Sequence, residues 1–376
     1  MPRPRSVIAA VVTALCTLPL TAPTIAAART PAPATSAVRL SLPEPTGPAA
    51  VGRATLALTD RDRTDPWVPE AGPRRLMVTL YYPAVRGTGG PAPYMDLAEA
   101  TALAAFAQLG PRFTAQRLAS TRTWSHTNAR ALPGPHPLVL LSPGFTVPRH
   151  TLTALAEDLA SRGYLVAAVD HAFESVATKF PGGVLRCAAC DLPAQIGNAA
   201  IALNRGLDLS FVLDELRHHP LADESRVAVV GHSMGGDAAA TAMRADRRVD
   251  AGVNLDGPMD PADPLDRPFL LLGSLDDHSP GGSFDPSWDA VWPHLSGWKR
   301  WLTVTNADHF SFTDLDLLVQ QAGVNLPMPL DPARGIQLTR TYVAAFVDQH
   351  LRGIPQRLLT GPTIRFPEIT FHRGQP

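Results

Sequence analysis

Three residue types in a fixed order carry the chemistry open to this chain: a serine in a glycine-flanked turn, an aspartate, and a histidine further downstream. The run "VAVVGHSMGGDAAA" (227–240) breaks a stretch of buried-type β-formers on Gly-His-Ser-Met-Gly-Gly and resumes as alanines. A tight strand-to-helix turn forces unusual backbone angles on its serine and leaves no room for neighbouring side chains. Gly231 and Gly235, two residues either side of Ser233, meet that need. The hydroxyl then stands clear of the sheet with a helix N-terminus behind it, where free amides and the helix dipole favour an oxyanion. Gly-x-Ser-x-Gly is a loose pattern alone; the strand before it, the small-residue helix after it and partners downstream give it weight.

A serine hydroxyl near its free pKa is a poor nucleophile, so a histidine must take its proton and an acid must hold that histidine's tautomer. "RWLTVTNADHFSFTDL" (300–315) puts His309 in the loop after the last strand of the alternating series described below, at the same edge as Ser233. The other histidines fit less well. His218 and His219 end a helical segment, His171 precedes the serine and suits a supporting place in the pocket, and His232 inside the turn is expected to point away from the hydroxyl. Two acids qualify: Asp256, ending "AGVNLD", and Asp276, with Asp277 beside it, after "PFLLLGSL". Both lie between Ser233 and His309, and spacing does not choose between them. An oxyanion hole needs a second amide besides that of Met234, and "LLSPGFTVPRH" supplies it at Phe145, where a strand ends and Pro143-Gly144 turns sharply. This chemistry calls for no metal and no organic cofactor.

Such residues meet only if strands deliver them to one edge of a sheet. "PLVLLSP" (137–143), "YLVAAVD" (164–170), "RVAVVG" (226–231), "AGVNLD" (251–256), "PFLLLG" (268–273) and "RWLTVT" (300–305) are near-continuous apolar runs, as in parallel strands buried on both faces. Helical spacing marks the segments between several of them, at 149–163, at 204–219 and after Ser233. The alternation predicts an α/β protein with a mostly parallel, doubly wound sheet. "RATLALTD" and "RLMVTLYYP" alternate apolar and polar residues and are expected as antiparallel edge strands. Two insertions interrupt the series: 92–124, with a helix whose Leu97, Leu103, Phe106 and Leu109 stripe should pack on the body or cover the site, and 171–198, a long irregular loop.

Of 376 residues, 45% are hydrophobic and 18% charged, enough for a large core, and a net charge of −1 excludes electrostatic attraction to nucleic acid. Lys179 and Lys299 are the only lysines among 33 basic residues, a bias that points to a GC-rich genome. Residues 1–28 read as a signal peptide: Arg3 and Arg5, an apolar run from Val7 to Leu20, then Ala26-Ala27-Ala28. The run holds Pro19 and is shorter than the roughly 20 residues of a span, so no transmembrane anchor is expected. Residues 29–50 form a Pro/Ala-rich lead-in that need not pack, and 51–376 a single catalytic domain. After export two cysteines remain, Cys187 and Cys190, and an oxidising compartment favours a disulfide between them.

Taken together, "LYYPA", "LSPGF", "DHAFESVATKFPGG", "GHSMGGDAAA", "NLDGPM" and "HFSFTDL" resemble the α/β-hydrolase family of the secreted, calcium-independent platelet-activating-factor acetylhydrolases and their bacterial relatives. The resemblance implies that the acid follows the strand next after the serine's, which maps onto Asp256, and that the histidine is His309, with Asp314 near it in sequence. It also implies ester hydrolysis on lipid or short acyl substrates through an acyl-serine, with the Phe145 and Met234 amides as oxyanion hole. Actinobacterial lipases and cutinases share "SPGF" and "GHSMGG", and the similar arrangement there would favour Asp276. The expectation is a secreted bacterial serine esterase on a small-molecule or lipid ester, compatible with transient contact with a lipid interface. Triacylglycerol or polyester hydrolysis, acyl transfer, and a non-catalytic binding protein of the same fold are the alternatives.

Overall fold

Runs of Val, Leu and Ala with no polar alternation can be satisfied only where both faces of a sheet are covered, and the chain builds such a sheet. The computed structural model describes residues 39–192, 197–260 and 264–372; the signal-peptide reading of 1–28 lies outside them. The strands are β1 (Ala50–Thr64), β2 (Pro73–Ala84), β3 (Gly90–Pro91), β4 (Ser125–Thr127), β5 (His136–Ser142) and β6 (Leu165–His171). They continue with β7 (Thr178–Phe180), β8 (Gly183–Leu185), β9 (Ala222–His232), β10 (Ala251–Leu255), β11 (Phe269–Ser274), β12 (Lys299–Val304) and β13 (Ile369–His372). The helices are α1 (Leu97–Ala107), α2 (Ala115–Ala119), α3 (Thr153–Ser161), α4 (Gly197–Leu216), α5 (Met234–Ala245), α6 (Leu275–His278), α7 (Ser287–Val291), α8 (Leu315–Gln321) and α9 (Pro332–Arg352).

One sheet runs in the order β13-β12-β11-β10-β9-β5-β6-β2-β1-β4-β3. From β12 to β6 every neighbour is parallel, and β2 and β1 join antiparallel beyond β6, as the alternating patterns predict. Antiparallel β13 closes the other edge. One core lies on the face covered by α3 and α9, with Leu141, Val230, Leu272, Tyr342 and Phe346. The other lies under α4 and α5, with Leu140, Val229, Leu213, Met243 and Trp288.

Three elements differ from the sequence expectation. The α1 stripe is turned: Leu103 is buried, but Leu97 and Phe106 are each about half exposed. The face that goes in carries Glu99, whose carboxylate meets His150 Nε2 at 3.2 Å and accepts the Lys179 amide at 3.0 Å. A buried carboxylate must keep its partners, and that demand sets the helix rotation over the apolar stripe. The 171–198 insertion is not wholly irregular, since β7 and β8 form a hairpin within it. The described part of the lead-in packs: Leu40 and Leu42 are buried, and Arg340 donates to the carbonyls of Pro43 and Glu44.

Candidate active site

Ser233 joins β9 to α5 with φ 55° and ψ −127°, a conformation an L-residue adopts only where its surroundings hold it. Those surroundings are glycines. A Cβ on Gly231 would lie 1.8 Å from the Gly235 carbonyl oxygen, and one on Gly235 would lie 2.0 Å from that of Ser142, so the turn closes only without side chains there. The Ser233 amide donates to the Leu255 carbonyl at 2.8 Å, which fixes the turn beside the end of β10.

The next residue after β10 is Asp256, also at φ 55° and fully buried at its side chain. Its Oδ1 accepts the Ser274 amide at 2.5 Å and its Oδ2 accepts from His309 Nδ1 at 2.7 Å. That bond puts the imidazole hydrogen on Nδ1 and leaves Nε2 as a base. Burial opposes ionisation of Asp256, but the hydrogen bond and charge of His309, the nearby His278 and the Ser274 amide hold its pKa below the ordinary value. His309 is 38% exposed; burial would depress it, yet Asp256, with Asp277 and Asp308 behind, holds its pKa above the ordinary value.

Of the two acids offered by the sequence, the structure brings Asp256 to His309. Asp276 is exposed, whereas its neighbour Asp277 turns toward the site. Asp314 serves elsewhere: buried, it accepts from Tyr94 Oη and from the Ala154 amide, each at 3.2 Å, and so ties the segment after His309 to the body. His232, expected to point away from the hydroxyl, meets the loop of His309. Its Nε2 donates to the His309 carbonyl at 2.7 Å, the two rings are 4.7 Å apart, and burial, with the charge of His309 adding, pushes its pKa down to about 3. It is a neutral strut beneath His309, and its place inside the Gly-x-Ser turn was the only sequence sign of it.

Phe145 stands at the end of β5, where a Cβ on Gly144 would come 3.3 Å from Ser233 Cβ. Among the described residues neither the Phe145 nor the Met234 amide gives its hydrogen to a backbone carbonyl outside regular elements. The loop carrying Phe145 rests on a buried charge network. Arg205 donates to the Pro143 carbonyl and, at 2.6 Å, to Glu174; the Glu174 carbonyl accepts the Thr146 amide at 2.9 Å. His171 donates from Nδ1 to Asp208 at 2.8 Å, and its Nε2 lies 3.0 Å from Ser142 Oγ. The supporting role expected of His171 is of this kind. Arg74, wholly buried, joins Asp208, Glu174 and Asp65 at 2.7, 3.1 and 2.9 Å. Cys187 and Cys190 are disulfide-bonded in the loop beyond, where Ala189 donates to the Phe173 carbonyl. A cavity of about 1020 Å³ lined by Arg334, Arg340 and Phe366 lies elsewhere, and none of Ser233, Asp256 and His309 lines it. Among the described residues no helix is long and apolar enough to cross a membrane.

This arrangement has relatives. The family model described as "Platelet-activating factor acetylhydrolase, isoform II" matches residues 34–181 and 193–353. A protein of Arthroderma benhamiae, "Probable 1-alkyl-2-acetylglycerophosphocholine esterase", is 27% identical over 88% of this chain and 93% of its own. The dog "Platelet-activating factor acetylhydrolase" is 27% identical over 34% of this chain and 36% of its own. Among solved structures, a ferulic acid esterase from Streptomyces cinnamoneus is 42% identical, superposes with a TM-score of 0.80, and covers 89% of this chain and all of its own. The protein folds as an α/β-hydrolase, acts as a carboxylic ester hydrolase, and belongs to the platelet-activating factor acetylhydrolase isoform II family.

Proposed function

We propose that the chain is an exported serine esterase that works through an acyl-serine. Ser233 Oγ attacks the acyl carbonyl carbon while His309 Nε2 takes its proton, and the carbonyl π pair moves onto oxygen beside the Phe145 and Met234 amides. Collapse of that intermediate expels the alcohol, which leaves with the proton from His309. Water then repeats the sequence and releases the acid. Asp256 holds the imidazole hydrogen on Nδ1 and stabilises the imidazolium formed in each half. One observation supports the reading above all: a strained Ser233 on a strand-to-helix turn sits one hydrogen bond from the end of the strand that carries Asp256, itself 2.7 Å from His309. A merely binding protein of this fold has no need to keep that strain.

The substrate class we propose is a small ester with a short acyl chain, including glycerophospholipids with a short chain at the second position. A hydroxycinnamate ester is the second reading, favoured by the 42% identity to the Streptomyces enzyme. The test is a panel: p-nitrophenyl acetate to palmitate, an oxidised short-chain phospholipid, tributyrin, polyester film and methyl ferulate. Turnover peaking at acetyl to butyryl with release of the short phospholipid acyl chain supports the first reading. A preference for methyl ferulate transfers the assignment to the second, and a peak on long chains or film contradicts both.

A further inference from the structure

β10 and β11 are neighbours in the sheet; Asp256 follows the first directly, and Asp277 lies in α6, three residues past the end of the second. Ser274, last in β11, donates its amide to Asp256 and accepts the Asp277 amide on its own Oγ at 3.3 Å. That double use of one serine folds the single turn of α6 back over the site. One carboxylate oxygen of Asp256, one of Asp277 and one ring nitrogen of His309 lie within 4.8 Å of one another. Asp277 is half-buried, while Asp276 beside it faces solvent. Two like charges this near repel, and the Asp277 carboxyl is accordingly raised above its ordinary value by burial first and by Asp256 second. A sequence that needed only a capped turn here would keep this repulsion for nothing; the cation that offsets it is the imidazolium of His309 in the reacting states.

We propose that Asp277 is a second acid for His309, a positioning residue that sets its charge beside the imidazolium and accepts the Nδ1 hydrogen when Asp256 cannot. The proposal rests on His309 being the base. In the ordinary cycle Asp256 receives the hydrogen bond and Asp277 contributes charge at a distance. When Asp256 loses its charge, a small swing of the ring offers the same hydrogen to Asp277, so that the tautomer survives. The other groups facing His309 are Asp308 on its own loop, Asp316 from α8 and His232 from β9, with His278 of α6 across Asp256. All remain in place when Asp277 alone is changed.

The experiment measures kcat/KM against pH on one p-nitrophenyl ester for wild type, Asp277→Asn, Asp256→Asn and the double variant, with melting temperatures recorded beside them. Asp277→Asn should lower the plateau by about threefold to tenfold and move the acid limb to lower pH, because removing a negative charge weakens the imidazolium. Asp256→Asn should then stay at least about tenfold above the double variant after allowing for the single Asp277 effect, a coupling that independent sites do not show. Asp277→Ser serves if the asparagine variant melts early. An unmoved acid limb, or a double variant no worse than Asp256→Asn, overturns the proposal. Ser233→Ala and His309→Gln separate the two levels. If either keeps wild-type turnover, the base reading itself fails; if both abolish it while Asp277→Asn is silent, only the second acid is lost.

Discussion

At the scale of single residues, the site is a set of positions where ordinary side-chain freedom is given up. Ser233, Asp256 and Thr146 all hold positive φ without being glycine, and all stand at the ends of β9, β10 and β5. Such conformations persist only where the packing around them leaves no alternative. Gly235 is the sharpest test, since an added Cβ would meet the backbone of Ser142 and Pro143, not a movable side chain. We expect Gly235→Ala to displace the turn that carries Phe145. Because a shift on the order of 1 Å at reacting groups costs about 10²-fold, kcat should fall by about that factor with a smaller change in KM. Equal kcat in the variant would show that Phe145 does not depend on this contact. The serine, the histidine and both strand-end acids were legible from sequence because the turn and the strands announce themselves locally. The choice of Asp256 came from the family resemblance alone, since both acids end adjacent strands and only the ring of His309 distinguishes them.

At the scale of elements, the loop after β5 is braced by α4 and the 171–192 insertion through buried ions. Arg74, Asp208, Glu174, Arg205 and His171 come from three separated stretches of chain, so no local pattern reveals them. Asp208 and Glu174 are held below the usual carboxylate range: burial opposes this, and it is overcome chiefly by Arg74 for Asp208 and by Arg205 and Arg74 for Glu174. For groups depressed in this way, the stability they contribute is fully present above the unfolded value near 4 and is lost as pH falls below it. Arg74→Met removes the cation that Asp65, Glu174 and Asp208 share, leaving Glu174 to Arg205 and Asp208 to Arg63 and His171, and breaking a buried pair of this kind typically costs about 3–5 kcal/mol. In chemical denaturation the gap between variant and wild type should be of that size at pH 7 and should narrow toward pH 4, as the carboxyls that have lost Arg74 take up protons. A gap that stays constant with pH would mean Arg74 acts through packing alone. The same logic explains the misread α1: amphipathic spacing foretold an apolar face, but Glu99 needs its partners at His150 and Lys179, and Leu97 and Phe106 were left outside.

At the scale of the whole molecule, the parallel middle of the sheet was readable because strands buried on both faces have a plain apolar signature. The edges were less so. β13 alternates apolar and polar residues, but over only four positions, too few to stand out, and it was found only by its pairing with β12. The segment 39–49 looked like free lead-in because Pro and Ala carry no pattern. Its two buried leucines and the Arg340 bonds to its carbonyls are tertiary facts. What the whole fold achieves is convergence: β5, β9, β10 and β12 bring Phe145, Ser233, Asp256 and His309, far apart in sequence, to one edge of one sheet.

The central claim is that Ser233 is the group that becomes acylated. An organophosphonate ester probe, which reacts only with a serine whose proton is removed and whose oxyanion is received, tests it directly when followed by peptide mass spectrometry. The account predicts one probe adduct per wild-type chain on the peptide carrying "GHSMGG", at Ser233, and none in Ser233→Ala. A full adduct on any other residue, or labelling that persists in Ser233→Ala, would contradict it.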